Sequence, residues 1–276
     1  MKSVSRFSSG NSRRPDNDST KNAFWAFFVV NSQKYYTIIT VFFDIFTQKG
    51  KTMSKIILAA DGLSHSECVL LATQIGNKIN AIKIHDLYDR SGAKIVKELQ
   101  SWSVKVWVDL KLNDIPETVT LRTKALVENG ANIITVHALG EVEMMAKAVE
   151  AAKDYAKIYA VTILTSLSEQ QIMQRFNQLP EQVVLDLALN ANKAGVQGVV
   201  CSPKEVAILR SHPDLKNMQL IVPGIRSPGK DAHDQKRVGT PAQAIKDGAN
   251  FLVIGRQITK AEDPKKALEE IEQEIS

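Results

Sequence analysis

From Lys55 onward one unit recurs along the chain: a short, nearly continuous apolar run rich in β-branched residues, then an amphipathic stretch that closes on a turn. Eight such runs can be read, at residues 55–60, 81–84, 105–110, 132–137, 157–164, 198–201, 219–222 and 250–254. A strand loses its apolar/polar alternation when both of its faces are covered, which is the situation in a parallel sheet packed under helices. The stretches between them include 117–129, 141–156, 182–194 and 241–247, and several end in helix-stopping pairs: Asn129-Gly130, Ala194-Gly195 and Asp247-Gly248. Eight βα units in the 224 residues from Met53 to Ser276 approach the size of about 250 typical of a (β/α)8 barrel. The expected class is therefore α/β, a TIM barrel. A doubly wound open sheet would call for a Gly-rich turn after the first strand, and Ala60-Asp61-Gly62-Leu63 is not one.

The first 52 residues do not fit this unit. They hold ten of the seventeen aromatics, and eight Lys/Arg against three Asp, which is the whole formal charge excess of +5. Their longest unbroken apolar run, 23–30, has eight residues, against about 18 for a membrane span. Met53-Ser-Lys-Ile-Ile-Leu reads like the start of a cytosolic enzyme. The expected organisation is a poorly structured N-terminal extension, 1–52, outside the fold, and a barrel domain, 53–276. A mis-assigned start accounts for the extension best, ahead of a targeting peptide or a membrane-touching arm. The rest of the chain balances 27 basic against 27 acidic residues, so no bulk positive field recruits nucleic acid. Cys68 and Cys201 form no C-x-x-C pair, which argues against a disulfide framework or structural zinc and for a reducing, cytoplasmic setting.

A barrel of this kind places its chemistry at the C-terminal ends of its strands. The chemically loaded residues do fall there: Asp61 after the first run, Lys83 in the second, Asp109 and Lys111 at the third, His137 at the fourth, Thr165 and Ser166 after the fifth, Ser202 after the sixth. Asp109 and Lys111 stand at i and i+2, one face of a strand, and Lys83 can join them from the neighbouring strand. Such a cluster also occurs as a purely structural ion-pair network. Gly224 and Arg226 leave the seventh run, Gly255 and Arg256 the eighth. The loops after strands seven and eight commonly hold a phosphate, gripped by backbone N–H groups and forked guanidinium donors, and Gln235 could add an amide donor.

The segments 109–118 (DLKLNDIPET), 161–166 (VTILTS), 198–202 (GVVCS), 222–226 (VPGIR), 234–238 (DQKRV) and 253–259 (VIGRQIT) carry a resemblance. In order and spacing the body of the chain resembles the orotidine 5′-phosphate decarboxylase family across nearly all of 55–272. The resemblance implies decarboxylation of orotidine 5′-phosphate to UMP and CO2 in pyrimidine synthesis, without metal or organic cofactor. It implies that Lys111 protonates C6 of the pyrimidine, with Asp109 against the departing carboxylate and Lys83 beside it. Asp114 would enter the site from the partner subunit of a homodimer. Asp61 and Lys83 would hold the ribose hydroxyls, Thr165 and Ser166 the pyrimidine edge, and Arg226, Gln235, Gly255 and Arg256 the phosphate. Ile115 and Thr118, within the first segment, would also contact substrate. The chain departs from the family pattern at His85 and His233, where glycine is usual, and at Gln257, where proline is usual.

Three other readings are open to these residues. Magnesium-dependent sugar-phosphate enzymes of the same superfamily share Asp-x-Lys-x-x-Asp, but carry a carboxylate where this chain has Lys83, and a cation there repels a divalent metal. A Schiff-base role for Lys111 wants a lowered pKa, against which neighbouring carboxylates act. A nucleotide-binding barrel without activity has no physical need for the charged set, which is complete.

Overall fold

The computed structural model describes residues 54–229 and 237–276. Its eight strands are β1 (Ile56–Ala59), β2 (Ala81–Ile84), β3 (Val106–Leu112), β4 (Ile133–His137), β5 (Lys157–Val161), β6 (Gly198–Val200), β7 (Gln219–Val222) and β8 (Phe251–Ile254). Each pairs in parallel with the next, and β8 closes on β1, with Leu58 opposite Ile254. The expected TIM barrel is present. The expectations for residues 1–52 and for Gln235 and His233 lie outside the described residues.

Two apolar layers hold the barrel, and the strand pleat divides residues between them. On β1, Ile57 and Ala59 point inward and join Trp107, Ile133, Tyr159, Val200, Ile221 and Val253 in the barrel's interior. Ile56 and Leu58 point outward, into the larger layer between the sheet and the surrounding helices. This double coverage is why the strands read as continuous apolar runs. Inside, the Trp107 and Tyr159 rings meet edge to face, centroids 5.5 Å apart. Their polar atoms are satisfied: Trp107 Nε1 donates to Thr135 Oγ1 at 2.7 Å and the Tyr159 hydroxyl to Gln219 Oε1 at 2.9 Å.

Two boundaries differ from the sequence reading for reasons that bear on function. The fifth apolar run extends to Leu164, yet β5 ends at Val161, because Ile163 and Leu164 are apolar for lining the cavity and not for continuing the ladder. The helix expected over 141–156 is Glu141–Ala152; Lys153 takes a left-handed conformation (φ 49°) that ends it. Helix starts follow local chemistry. Pro116 opens Pro116–Glu128, and Ser168 with Gln171 forms a capping box on Glu169–Phe176.

Candidate active site

A cavity of about 580 Å³ opens at the C-terminal ends of the strands. Along one wall four charges alternate. Lys83 Nζ lies 2.7 Å from Asp61 Oδ1 and 3.3 Å from Asp109 Oδ2, and Lys111 Nζ lies 2.9 Å from that same Asp109 oxygen. Both lysines therefore share one carboxylate oxygen, and the row is formally neutral. Side-chain exposure grades along it: Lys83 and Asp109 are each 9% exposed, Lys111 33% and Asp61 54%. Lys111 is thus the more accessible of the row's two cations.

The local backbone that delivers Lys111 is not the regular strand expected from i, i+2 spacing. Val108 pairs with Ile134 but Leu112 with Val136, so four steps along β3 match two along β4. Within this bulge Lys111 has φ 48°. A left-handed non-glycine residue costs about 1–3 kcal/mol and persists only where its surroundings enforce it. The bulge re-aims the side chain, and Asp109 and Lys111 reach the same space through it.

Electrostatics hold the row ionised. Burial alone would raise Asp109, but Lys83 and Lys111, with a hydrogen bond from Thr135, hold its carboxyl below the usual carboxylate range. Burial would likewise lower Lys83, and is outweighed by Asp109 and Asp61, which hold it above the ordinary lysine value. His137, at the end of β4, is pushed down by burial and by Lys111. Its Nδ1 accepts the Leu139 N–H at 3.2 Å, which leaves Nε2 as the protonated nitrogen.

The far wall is built from the exits of β7 and β8. Pro223, Gly224, Arg226, Gly255 and Arg256 all line the cavity. Gly224 has φ 74°, a turn that side chains resist. At Gly255 an added Cβ would lie 3.3 Å from the Ala59 carbonyl oxygen, tighter than ordinary contact, so the chain there runs close against β1. Gln257, a departure from the family pattern, ties the two exits together: Ser227 N–H donates to its Oε1 at 3.2 Å, and its Nε2 donates to Ser227 Oγ at 2.6 Å.

Asp61, Lys83, Asp109, Lys111, Thr165, Arg226, Gly255 and Arg256 all come together around this one cavity, as the sequence reading expected. Ser166, Ile115, Thr118 and Asp114 do not line it. Ile115 is 66% exposed, and Asp114, also exposed, accepts the Ile115 N–H at 2.7 Å instead of meeting Lys111. The sequence reading missed Trp107, which lines the cavity floor, and buried Thr135, which joins Trp107 to Asp109. Trp107 stands two residues before Asp109, on the inward face, and that spacing is the signal that could have found it. His85 is exposed and precedes the helix Asp86–Ser91.

A family model described as orotidine 5′-phosphate decarboxylase / HUMPS family matches residues 54–271. The chain belongs to that family. It is 38% identical over 228 residues to the orotidine 5′-phosphate decarboxylase of Actinobacillus pleuropneumoniae serotype 5b, spanning 80% of this chain and 99% of the relative. To that of Pasteurella multocida it is 39% identical over 224 residues, 79% of this chain and 96% of the relative. The crystal structure of orotidine 5′-phosphate decarboxylase from Lactobacillus acidophilus superposes with a TM-score of 0.69 at 32% identity, covering 81% of this chain and 99% of that one. The family's matched range begins at residue 54, where the described body also begins.

Proposed function

We propose that the chain decarboxylates orotidine 5′-phosphate to UMP and CO2, a step of pyrimidine biosynthesis, within the barrel 53–276. The observation that carries this reading is the neutral, alternating row Asp61, Lys83, Asp109, Lys111, which shares one cavity with Arg226, Gly255 and Arg256. Orotidine 5′-phosphate has the matching layout, with an anionic carboxylate on its ring at one end and a phosphate at the other.

The chemistry demanded is severe. When the C6–carboxylate bond breaks, its electron pair stays in the plane of the ring, where the π-system cannot accept it. The charge must be met by a fixed positive group, and a proton must be in place. In this reading Lys111 supplies both. Its Nζ gives a proton to C6 as CO2 leaves, and the resulting amine regains one from solvent. Asp109 stands beside the substrate carboxylate, and Lys83 prevents Asp109 from pulling Lys111 out of line by pairing with the same oxygen. Asp61 and Lys83 hold the ribose, and Thr165 the pyrimidine edge; Ser166, exposed outside the cavity lining, joins that edge only if its loop moves. Arg226, Gln235, Gly255 and Arg256 hold the phosphate, remote binding energy that serves the reacting centre.

The exposure of Asp114 and Ile115 at the start of Pro116–Glu128 supports a homodimer in which these residues, with Thr118, complete the neighbour's site. Among the described residues no helix is long and apolar enough to cross a membrane, and both cysteines are free and buried; we place the enzyme in the cytoplasm. A magnesium-dependent reaction is the less favoured reading because Lys83 Nζ takes the position between Asp61 and Asp109. The test is CO2 release from orotidine 5′-phosphate after exhaustive chelation, with Lys111→Ala as control. A folded protein that releases none, or works only when magnesium is returned, overturns the proposal.

A further inference from the structure

Glu205 and Arg237 form an ion pair that lies outside the cavity lining, and their side chains are 1% and 6% exposed. Burial pushes the Glu205 carboxyl upward, against the pull of Arg237 and of the Ser202 N–H. Arg237 Nε and Nη2 are buried and have no hydrogen-bond partner among the described residues. A buried pair so incompletely satisfied returns little stability, since well-packed apolar residues avoid the desolvation altogether. What the pair does supply is geometry.

Glu205 closes the turn that leaves β6, where its Oε2 accepts the Ser202 N–H at 2.9 Å and its Oε1 accepts from Arg237 Nη1. Arg237 heads the short strip 237–239, and that strip runs along the exit of β7. Gly239 N–H donates to the Gly224 carbonyl at 3.2 Å, and the Gly239 carbonyl accepts the Arg226 N–H at 3.0 Å, a parallel bridge centred on Ile225. Pro203, from the β6 turn, covers Gly239 so closely that a Cβ there would lie 2.5 Å from the Pro203 Cβ. The turn after β6 thus grips the strip at two points, and the strip grips the backbone on both sides of Ile225. Gly224 and Arg226 line the cavity.

We propose that Glu205 and Arg237 are positioning residues for the phosphate end of the site: their ion pair fixes the strip 237–239, and the strip sets where Arg226 meets the substrate. The inference rests on the reading of Arg226 as a phosphate contact. Neither residue touches the substrate; each acts through Gly239 and Arg226. A displacement of about 1 Å, caused by a change remote from the chemistry, can lower a rate by about 100-fold.

The test is a mutant cycle read as kcat/KM for orotidine 5′-phosphate and for orotidine, the same nucleoside without phosphate. Arg237→Met and the milder Glu205→Gln, which keeps an acceptor for Ser202, should each lower the value for orotidine 5′-phosphate by about 10- to 100-fold and leave that for orotidine unchanged. Arg237→Lys should recover part of the loss. Because Arg237 acts through Arg226, Arg237→Met should have little effect in an Arg226→Ala background. Equal losses on both substrates, or losses that simply multiply in the double variant, overturn the positioning role. If Arg226→Ala itself does not discriminate between the two substrates, the phosphate assignment of Arg226 falls, and this inference with it. Selectivity in Arg226→Ala without selectivity in Arg237→Met or Glu205→Gln removes the inference alone.

Discussion

Replacing Asp109 by Asn removes the one charge on which two lysines converge, and the structure gives the size of the effect. At separations of 3.3 Å from Lys83 and 2.9 Å from Lys111, each attraction is about 5–6 kcal/mol at an effective dielectric constant near 20. Most of that is offset by the desolvation of the charges themselves. Lys111 is a third exposed, so solvent screens its share. Lys83 is buried and keeps only its 2.7 Å pair with the half-exposed Asp61, so the cost of about 3–5 kcal/mol for a fully uncompensated buried charge is an upper bound. Asp109→Asn should therefore lose stability at pH 7 in urea denaturation, by up to about that amount.

The pH dependence follows from the two shifts. Asp109 is held below its usual range, so its contribution is present above the unfolded carboxylate value and is lost as pH falls through the folded one. Lys83 is held above its usual value, so its contribution is complete below the unfolded lysine value of about 10.4 and is lost as pH rises through the folded one. The deficit relative to the unmodified protein should hold steady between the unfolded carboxylate value of about 3.9 and the unfolded lysine value of about 10.4, and shrink outside that range. Unfolding free energies within about 0.5 kcal/mol of each other at pH 7, or a deficit that stays undiminished well below the unfolded carboxylate value and well above the unfolded lysine value, would show that the row is not a coupled buried network.

Three further outcomes are expected. Arg256→Ala should lose about 2–5 kcal/mol of transition-state binding, the range for truncating one partner of a buried charged contact; unaltered kcat/KM for orotidine 5′-phosphate excludes the phosphate role. Lys111→Ala and Asp114→Ala should each be nearly inactive alone, while subunit exchange between them should restore about a quarter of the activity, since half the dimers are mixed and each mixed dimer has one intact site of two. No recovery after verified exchange means that Asp114 serves its own chain. A chain starting at Met53 should fold and turn over like the full length, as steady-state kinetics and thermal melts of the two proteins can establish.

The barrel was legible in the sequence because burial on both strand faces writes itself as unbroken apolar runs, and eight of them close a sheet. The same logic placed Asp61, Lys83, Asp109, Lys111, Arg226 and Arg256 at strand exits, since polar residues that interrupt an apolar run must leave the covered region. Tertiary structure decided what spacing alone does not encode. The bulge in β3 and the left-handed Lys111 come from the register against β4, a relation between segments with no local signature. Sharing of one Asp109 oxygen by two lysines depends on side chains from separate strands meeting in three dimensions. The Glu205–Arg237 pair, 32 residues apart in sequence, looks like two ordinary surface charges until folding buries both. Periodicity reports which face of an element is covered. Only the packed chain determines what covers it.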